Sequence, residues 1–215
     1  MKVVDLTHQL FHGMAVYPGH PGVEIADIKT IHEHRRSLQH LKMTNHAGTH
    51  IDAPSHFIEG GDTVDKMDLA SLMGPARIID LTDKSRGDTI SVQDLLPCEE
   101  AFTRGSRVLL KTGWDSYFIR EDYYTDYPVL AVEAARWIAS RRISLLGMDM
   151  PSPGPRGDTG EEIHQVLLAG GVVLVESLHN LSLVGNHTFT FMALPMNIRS
   201  CSGSPCRAIA ILEEQ

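Results

Sequence analysis

The stretch LLGMDMPSPGPRGDTGEEIHQVLLAGGVVLVE, residues 145–176, decides the fold class predicted for this chain. It begins and ends with short apolar runs, at 145–149 and 172–176, which are typical of buried strands. Between them, residues 161–169 predict a helix that starts with acidic side chains and stops at Gly170. A strand, a helix and a second strand in this order pair the two strands in parallel through a right-handed crossover.

The same alternation begins upstream, because a strand-like run at 107–112 and a helical pattern at 129–140 precede this stretch. The remaining patterns favour a short helix at 91–96 and strands at 3–6, 23–31, 39–45, 76–81, 188–195 and 206–212. No helix separates the strands in the N-terminal third or the C-terminal tail, which indicates antiparallel or mixed additions. We therefore expect an α/β fold: one compact domain over residues 1–215, with a mixed β-sheet flanked by helices.

Composition and charge narrow the class of protein. The chain has 215 residues, 42% of them apolar and 21% charged, so it can bury one well-filled core. A net charge of −8 and the absence of a long run of lysine or arginine argue against nucleic acid as a partner. The N-terminus lacks the pattern of a signal peptide, and no apolar stretch approaches about eighteen residues, so we expect a cytoplasmic protein without a membrane partner. The three cysteines form no CxxC pair, which disfavours a disulfide framework or a thiolate zinc site.

A second stretch, HAGTHIDAPSH at residues 46–56, gathers three histidines and an aspartate at even-numbered positions: His46, His50, Asp52 and His56. In an extended strand these four side chains would share one face. The first two histidines would lie roughly 13 Å apart in a flat strand, so we expect the chain to bend at Gly48. Zinc and manganese accept imidazole and carboxylate ligands, so the stretch predicts a metal site. The alternative is a histidine-rich solvated loop, which the apolar neighbours of these residues disfavour.

Glu176 and His164 could complete this site. Glu176 ends an apolar strand expected to be buried on both faces, where an unpaired carboxylate is very costly. The short turn after the 161–169 helix would return the chain so that the two residues meet at one end of the sheet. Each has another interpretation: the carboxylate could cap a loop amide, and the imidazole could be satisfied at the surface. Five candidate ligands exceed what one tetrahedral ion needs, so two ions are possible: His46, His50, Asp52, His164 and Glu176.

The stretch at 46–56 resembles the HxGTHxDxPxH signature of the metal-dependent cyclase family, which includes bacterial kynurenine formamidases and isatin hydrolases. Further segments that resemble family counterparts occur in the same order along almost the whole chain, at 4–8, 17–19, 74–81, 108–113, 147–152, 176–181 and 193–195. The resemblance implies a compact α/β fold of the swivelling β/β/α type, assembled as homodimers or larger oligomers.

The resemblance also implies a role for each candidate residue. The ligands implied for a first ion are His46, His50 and Asp52, and those that complete a second are His164 and Glu176, with Asp52 and Glu176 bridging the two. His56 is left free as the proton-transfer residue. We expect one or two divalent ions per subunit, with zinc ahead of manganese.

The chemistry of these residues points to hydrolysis of a small amide. A divalent ion lowers the pKa of a water molecule that it binds to around 7 and polarises a carbonyl oxygen. An amide nitrogen leaves readily only if it is protonated as the bond breaks. His56 is suited to supply that proton because its ordinary pKa lies near 6.5. The alternative role for His56 is to orient Asp52.

Tyr17 is the candidate substrate-binding residue. It precedes a Pro-Gly pair, where kynurenine formamidases carry a tryptophan that stacks on the aromatic substrate, and a tyrosine can stack on a ring as well. His20 stands where an aspartate is common in the family. Tyr17 could instead serve only as a turn residue. Arg156, in the proline- and glycine-rich loop at 151–157, could hold a substrate carboxylate as a fork or contact only water.

The predicted activity is that of an arylformamidase, which hydrolyses N-formylkynurenine to kynurenine and formate. The alternatives are ring opening of a cyclic amide or imide, as in isatin hydrolases, and a non-catalytic protein that binds a metal or small ligand. The presence of His56 together with all five candidate ligands favours an enzyme over a non-catalytic binding protein. Three features stay open: the tyrosines at 123–124 could line a pocket or pack in the core, Asp149 could lie near the site or cap a loop, and the turn at 185–187 could face a partner chain.

Overall fold

The computed structural model of the chain describes residues 1–185 and 188–213. Within them the strands are β1 (Lys2–Asp5), β2 (Glu24–Lys29), β3 (Leu38–Lys42), β4 (His50–Asp52), β5 (Met73–Asp80), β6 (Thr89–Ile90), β7 (Arg107–Lys111), β8 (Val129–Leu130), β9 (Leu145–Met148), β10 (Val173–Glu176), β11 (Phe189–Pro195) and β12 (Gly203–Leu212). The α-helices are α1 (Ile31–His34), α2 (Val92–Leu95), α3 (Val132–Ser140) and α4 (Asp158–Ala169), and short 3₁₀ turns lie between several of these elements.

Eight of these strands form one mixed sheet in the order β1-β12-β11-β5-β7-β9-β10-β4. The short β4 also pairs with β12, so the sheet closes on itself like a barrel. Strands β5, β7, β9 and β10 are parallel, as the strand–helix alternation predicts, and the other pairs are antiparallel. The predicted α/β class with a mixed sheet is therefore confirmed.

Apolar side chains pack on both faces of this sheet. Ile138 of α3 and Leu167 of α4 belong to one core with Leu146 and Leu174 of the strands beneath them. Neighbouring strand residues such as Leu145 point to the opposite face and pack in the barrel interior. Strands β9 and β10 are therefore buried on both faces, which explains why their sequences are almost continuously apolar.

The register of β4 against β10 determines where the polar residues of these strands project. Glu176 lies opposite His50, and Leu174 lies opposite Asp52. Because directly opposed residues of an antiparallel pair point to the same face, all three polar side chains project from the face that α4 covers. The end of β10 thus carries a group of polar side chains beneath a helix.

A two-stranded hairpin lies outside the eight-stranded sheet. Strands β2 and β3 pair only with each other, and we call residues 24–42, which include α1, the arm. Four large apolar side chains of the arm expose between 45% and 71% of their surface: Ile28, Ile31, Leu38 and Leu41. An isolated hairpin is only marginally stable in water, so this exposed apolar surface is suited to contact with another molecule.

Several element boundaries differ from the predicted ones, and two of these differences have a clear local cause. The predicted strand at 23–31 is too long, because Thr30 caps α1 and its side chain accepts a hydrogen bond from the Glu33 amide. The predicted helix at 129–140 starts only at Val132, because β8 precedes it and pairs with β6. The turn proposed at 185–187 lies mostly outside the described residues. In the described part of the chain, no helix combines the length and the apolar character needed to cross a membrane.

Candidate metal and active site

Residues 46–56 fold as a bend, a short strand and one 3₁₀ turn. Gly48 has a φ of 63°, in the left-handed region that favours glycine, so the predicted bend at this residue is confirmed. The bend turns His46 back toward the strand, where its Nδ1 lies 2.7 Å from Oδ1 of Asp52. The local sequence alone therefore brings two of the candidate ligands into contact.

His50 lies between two buried carboxylates. Its Nδ1 is 2.8 Å from the carbonyl oxygen of Gly48, to which the ring N–H donates. Its Nε2 is 3.4 Å from Oδ1 of Asp52 and 3.4 Å from Oε2 of Glu176. Because the backbone holds one ring nitrogen, the other is directed at the carboxylates, the orientation that a metal-binding imidazole needs.

His164 reaches the same carboxylates from α4. Its Nδ1 donates to the carbonyl oxygen of Gly160 at 2.7 Å, one helical turn earlier. Its Nε2 lies 3.3 Å from Oε1 of Glu176 and 3.9 Å from Oδ2 of Asp52. This imidazole is thus oriented in the same way as that of His50, by a backbone carbonyl on its far side.

The ligand atoms form two groups that share one carboxylate: His46, His50 and Asp52 in the first, and Asp52, His164 and Glu176 in the second. Within each group the ligand atoms lie within 4.8 Å of one another. Asp52 and Glu176 are almost fully buried, and their partners among the described residues are histidines rather than lysine or arginine. Two buried carboxylates facing oriented imidazoles fit a divalent cation.

The pKa values of the candidate ligands without a bound cation also favour a metal site. Burial lowers the pKa of His50, but the hydrogen bonds with Asp52 and Glu176 outweigh it and raise that pKa to about 10. Burial raises the pKa of Asp52, yet His46 and His50 hold it well below its ordinary value. A proton on His50 therefore offsets carboxylate charge in this state, and a divalent cation would replace it, so metal binding would release a proton.

His56 borders the ligands without joining either group. Its ring stacks on that of His46, with 3.9 Å between the ring centroids. It meets the ring of Phe57 edge-on at 4.5 Å. Burial lowers the pKa of His56 to about 4, against the opposing charge of Asp52. His56 borders the cavity next to the candidate ligands, and within the described residues neither of its ring nitrogens has a hydrogen-bond partner.

A cavity of about 320 Å³ opens beside the candidate ligands. The residues that border it are Tyr17, His20, His46, His50, Asp52, His56, Phe57, Tyr124, Pro151, Ser152, Pro155, Arg156, Gly157, Gly160, Glu161, His164, Glu176 and Ser177. Tyr17 is half-buried in its wall and meets Tyr124 edge-on at 5.8 Å. Burial raises the pKa of the Tyr17 hydroxyl, and the charge of Arg156 opposes that rise. The volume is suited to a small organic molecule.

Comparison with known proteins identifies the family. Residues 4–155 match the model of the Cyclase family, described as "Putative cyclase". The chain belongs to the cyclase family. The family resemblance noted at residues 46–56 is therefore confirmed, and the match extends over most of the chain.

Curated relatives of this cyclase-family chain are named kynurenine formamidases. One from Bacillus cytotoxicus is 31% identical over 209 residues, covering 96% of this chain and 95% of the relative. Another, from Salinibacter ruber, is 31% identical over 215 residues, covering 97% of both chains. Almost the entire length of the chain is thus shared with these proteins.

Solved structures share the fold of this cyclase-family chain. A potential metal-dependent hydrolase with cyclase activity is 29% identical, with a TM-score of 0.82 over 100% of this chain and 99% of that one. Isatin hydrolase A from Labrenzia aggregata is 24% identical, with a TM-score of 0.88 over 99% of this chain and 94% of that one. At that identity the second likeness concerns the fold alone.

The cavity of this cyclase-family chain also contains residues that the sequence analysis did not assign to it. Phe57 stacks on His164, with 4.5 Å between the ring centroids. In the sequence, only its position next to His56 indicated that it would lie at the cavity. In the sequence, Glu161 is an acidic residue at the start of a predicted helix. No local feature of the sequence predicted that it would border the cavity. Tyr124 borders the cavity, whereas Tyr123 is fully buried in the core.

Asp149 caps a loop and does not border the cavity. Its carboxylate accepts hydrogen bonds from the amide and hydroxyl of Thr112, at 2.9 and 2.6 Å, and from the amide of Gly113 at 2.7 Å. Burial raises the pKa of Asp149 to about 7, although these donors favour its charged form. Of the two interpretations considered for this residue, the structural one is confirmed.

Proposed function

We propose that this chain is a metal-dependent hydrolase that cleaves the C–N bond of a small amide, and that its substrate is N-formylkynurenine. The convergence of five ligand-type side chains on one cavity, beside an imidazole with no hydrogen-bond partner in the described residues, carries this proposal. The kynurenine formamidases among the relatives support it, because they match over nearly the whole chain. We further propose that residues 1–215 act as a single domain.

The proposed ligands of a first ion are His46, His50 and Asp52, and those of a second are Asp52, His164 and Glu176. Nitrogen and carboxylate donors of this kind suit zinc, and manganese is the alternative. Such an ion supplies Lewis acidity, which activates water and polarises a carbonyl group.

The protein side chains would supply proton transfer and substrate orientation. In the overall reaction, water adds its oxygen to the formyl carbon, the C–N bond breaks, and the nitrogen gains a proton. We propose that a ring nitrogen of His56 receives a proton from the water and returns it to the departing nitrogen. Tyr17 and Tyr124 would contact the aromatic ring of the substrate, because both border the cavity and their rings meet edge-on.

We also propose that the protein is cytoplasmic and works as a homodimer through the arm. The arm carries a net charge of +1, whereas the whole chain carries −8, so an arm would be attracted to the acidic surface of a second copy. Burial of its exposed apolar side chains against that copy would stabilise the hairpin.

The test of the proposed activity uses protein stripped with a chelator. N-formylkynurenine hydrolysis, followed by the absorbance of kynurenine, should be absent from the stripped protein and return when zinc or manganese is added. Isatin serves as the second substrate, because ring opening of a cyclic amide is the alternative activity. Folded, metal-loaded protein that opens isatin and leaves N-formylkynurenine intact would assign that alternative. Protein that cleaves neither would contradict the proposal.

A further inference from the structure

Two charged residues on the rim of the cavity take no part in the candidate metal site. Arg156 and Glu161 both border the cavity, and both are exposed. Neither makes a salt bridge within the described residues, although Glu162, next to one of them, pairs with Arg136 at 2.7 Å. Arg156 does interact with the Tyr17 hydroxyl. The cavity therefore carries one cation and one anion that have no ion-pair partner in the described residues, in addition to its candidate metal ligands.

Both charges act at the same place in the cavity. The Tyr17 hydroxyl experiences the positive charge of Arg156 and the negative charges of Glu176 and Glu161. Arg156, Glu161 and the candidate metal ligand Glu176 border the same cavity as Tyr17, so a small molecule that lies against Tyr17 is exposed to the charges of all three.

The backbone holds the two rim residues in a defined arrangement. Arg156 lies in the loop before α4 and Glu161 in the first turn of that helix. Gly160 packs so closely on this loop that a methyl group on it would collide with the carbonyl oxygen of Pro155. The loop is fixed from its other side, where the hydroxyl of Tyr127 donates to the carbonyl oxygen of Gly154 at 2.7 Å. Because this backbone is held in place, only the two side chains lose freedom when a ligand binds between them.

We infer that Arg156 and Glu161 form a subsite for the α-amino acid group of the substrate, in which Arg156 binds the carboxylate and Glu161 binds the ammonium. The inference rests on the proposed function and specifies its substrate as an amide that carries a free amino acid. The guanidinium can bind a carboxylate through two parallel hydrogen bonds. A neutral cyclic amide would gain nothing from either charge, so this rim favours amino acid substrates over it.

Three substrates distinguish the contribution of Arg156 from that of Glu161. N-formylkynurenine carries both the carboxylate and the ammonium, 4-(2-formamidophenyl)-4-oxobutanoate carries only the carboxylate, and 2′-formamidoacetophenone carries neither. All three retain the same aryl formamide. The variants are Arg156→Met and Glu161→Gln. Arg136→Met and Glu162→Gln are the matched controls, because that pair lies outside the residues that border the cavity.

The expected result is a change in substrate preference. Arg156→Met should lower the ratio of kcat/KM for the oxobutanoate to that for the acetophenone by about tenfold, the effect of one charge-assisted contact of about 1.4 kcal/mol at an exposed rim. Glu161→Gln should lower the ratio for N-formylkynurenine to that for the oxobutanoate by a similar factor. The control variants should keep both ratios at the wild-type values.

Binding of the product gives a second readout that does not depend on turnover. Calorimetry should show that Arg156→Met weakens kynurenine binding by about tenfold. If wild-type protein cleaves the formamides and both ratios stay unchanged in the variants, the inference is wrong and the proposed function stands. If no formamide is cleaved but kynurenine binds through Arg156, the subsite stands and the proposed function is wrong.

Discussion

Replacement of Gly203 by alanine should weaken metal binding without removing any ligand atom. Gly203 lies opposite Asp52 where β12 pairs with β4. A methyl group on it would lie 2.8 Å from the carbonyl oxygen of Ile51 and 2.9 Å from Nε2 of His46, and it would also contact Cε1 of that ring. Side-chain carbons do not approach other atoms this closely, so either the imidazole or the backbone of β4 must move.

The size of the expected loss in metal affinity follows from the cost of overpacking. One added methyl group in a filled space costs about 1–3 kcal/mol. If the imidazole of His46 absorbs the displacement, the proposed first ion loses a correctly placed ligand, and metal affinity should fall about 10- to 100-fold. Gly22→Ala is the matched control, because a methyl group at Gly22 would meet no atom within 4 Å and the residue has no positive φ.

The assay is competition for zinc between the protein and a chromophoric chelator, carried out on wild type, Gly203→Ala and Gly22→Ala. Urea denaturation of the metal-free proteins measures the structural cost separately. The control should match wild type in both measurements. A folded Gly203→Ala protein that binds zinc within about twofold of wild type would refute the reasoning, because the site would then tolerate a displaced His46.

Three further predictions concern different parts of the molecule. His56→Ala should leave the bound metal per chain unchanged while kcat falls about 10²- to 10⁴-fold, and retained turnover would refute its proton-transfer role. Asp149→Asn should be less stable than wild type by about 2–4 kcal/mol, because its amide N–H groups would face backbone donors. The raised folded pKa of Asp149, about 7, means that its stabilising contribution is complete below an unfolded value of about 4 and is lost as pH rises through 7. The stability margin over Asp149→Asn should therefore shrink between about pH 4 and pH 7 in urea titrations, and a growing margin would contradict this sign. Light scattering of the wild type should detect the proposed dimer, and Ile28→Glu in the arm should convert it into single chains, whereas Leu69→Glu, at an equally exposed site, should not; an unchanged mass would exclude the arm as the interface.

The parallel part of the sheet was predictable because its signals are local. Apolar runs bounded by glycine or aspartate alternate with amphipathic segments from residue 107 to residue 176, and the crossover rule then determines the direction of the strands. The candidate ligands within 46–56 were predictable for a similar reason. They lie on one short segment, and the single glycine that can bend it, Gly48, adopts the required left-handed conformation.

The rim of the cavity was not predictable in this way. Glu161 lies at a helix start, where an acidic residue is explained by the helix dipole alone. Its place beside Arg156 depends on a loop that folds back onto α4, and that packing requires the missing side chain of Gly160. Contacts of this kind arise from tertiary structure, so no periodicity or spacing in the sequence predicts them.

The closure of the sheet was missed for a related reason, and it bears directly on the candidate metal site. Residues 203–205 read Gly-Ser-Pro, a composition typical of turns, so the predicted strand starts only at residue 206. These three residues instead extend β12 and pair with the three residues of β4, whose other edge pairs with β10. A strand of only three residues has few hydrogen bonds of its own, so pairing on both edges is what holds His50 and Asp52 in place. The rigidity of the ligand group therefore depends on a segment about 150 residues away whose composition suggests a turn, and Gly203 is the position where that dependence can be tested.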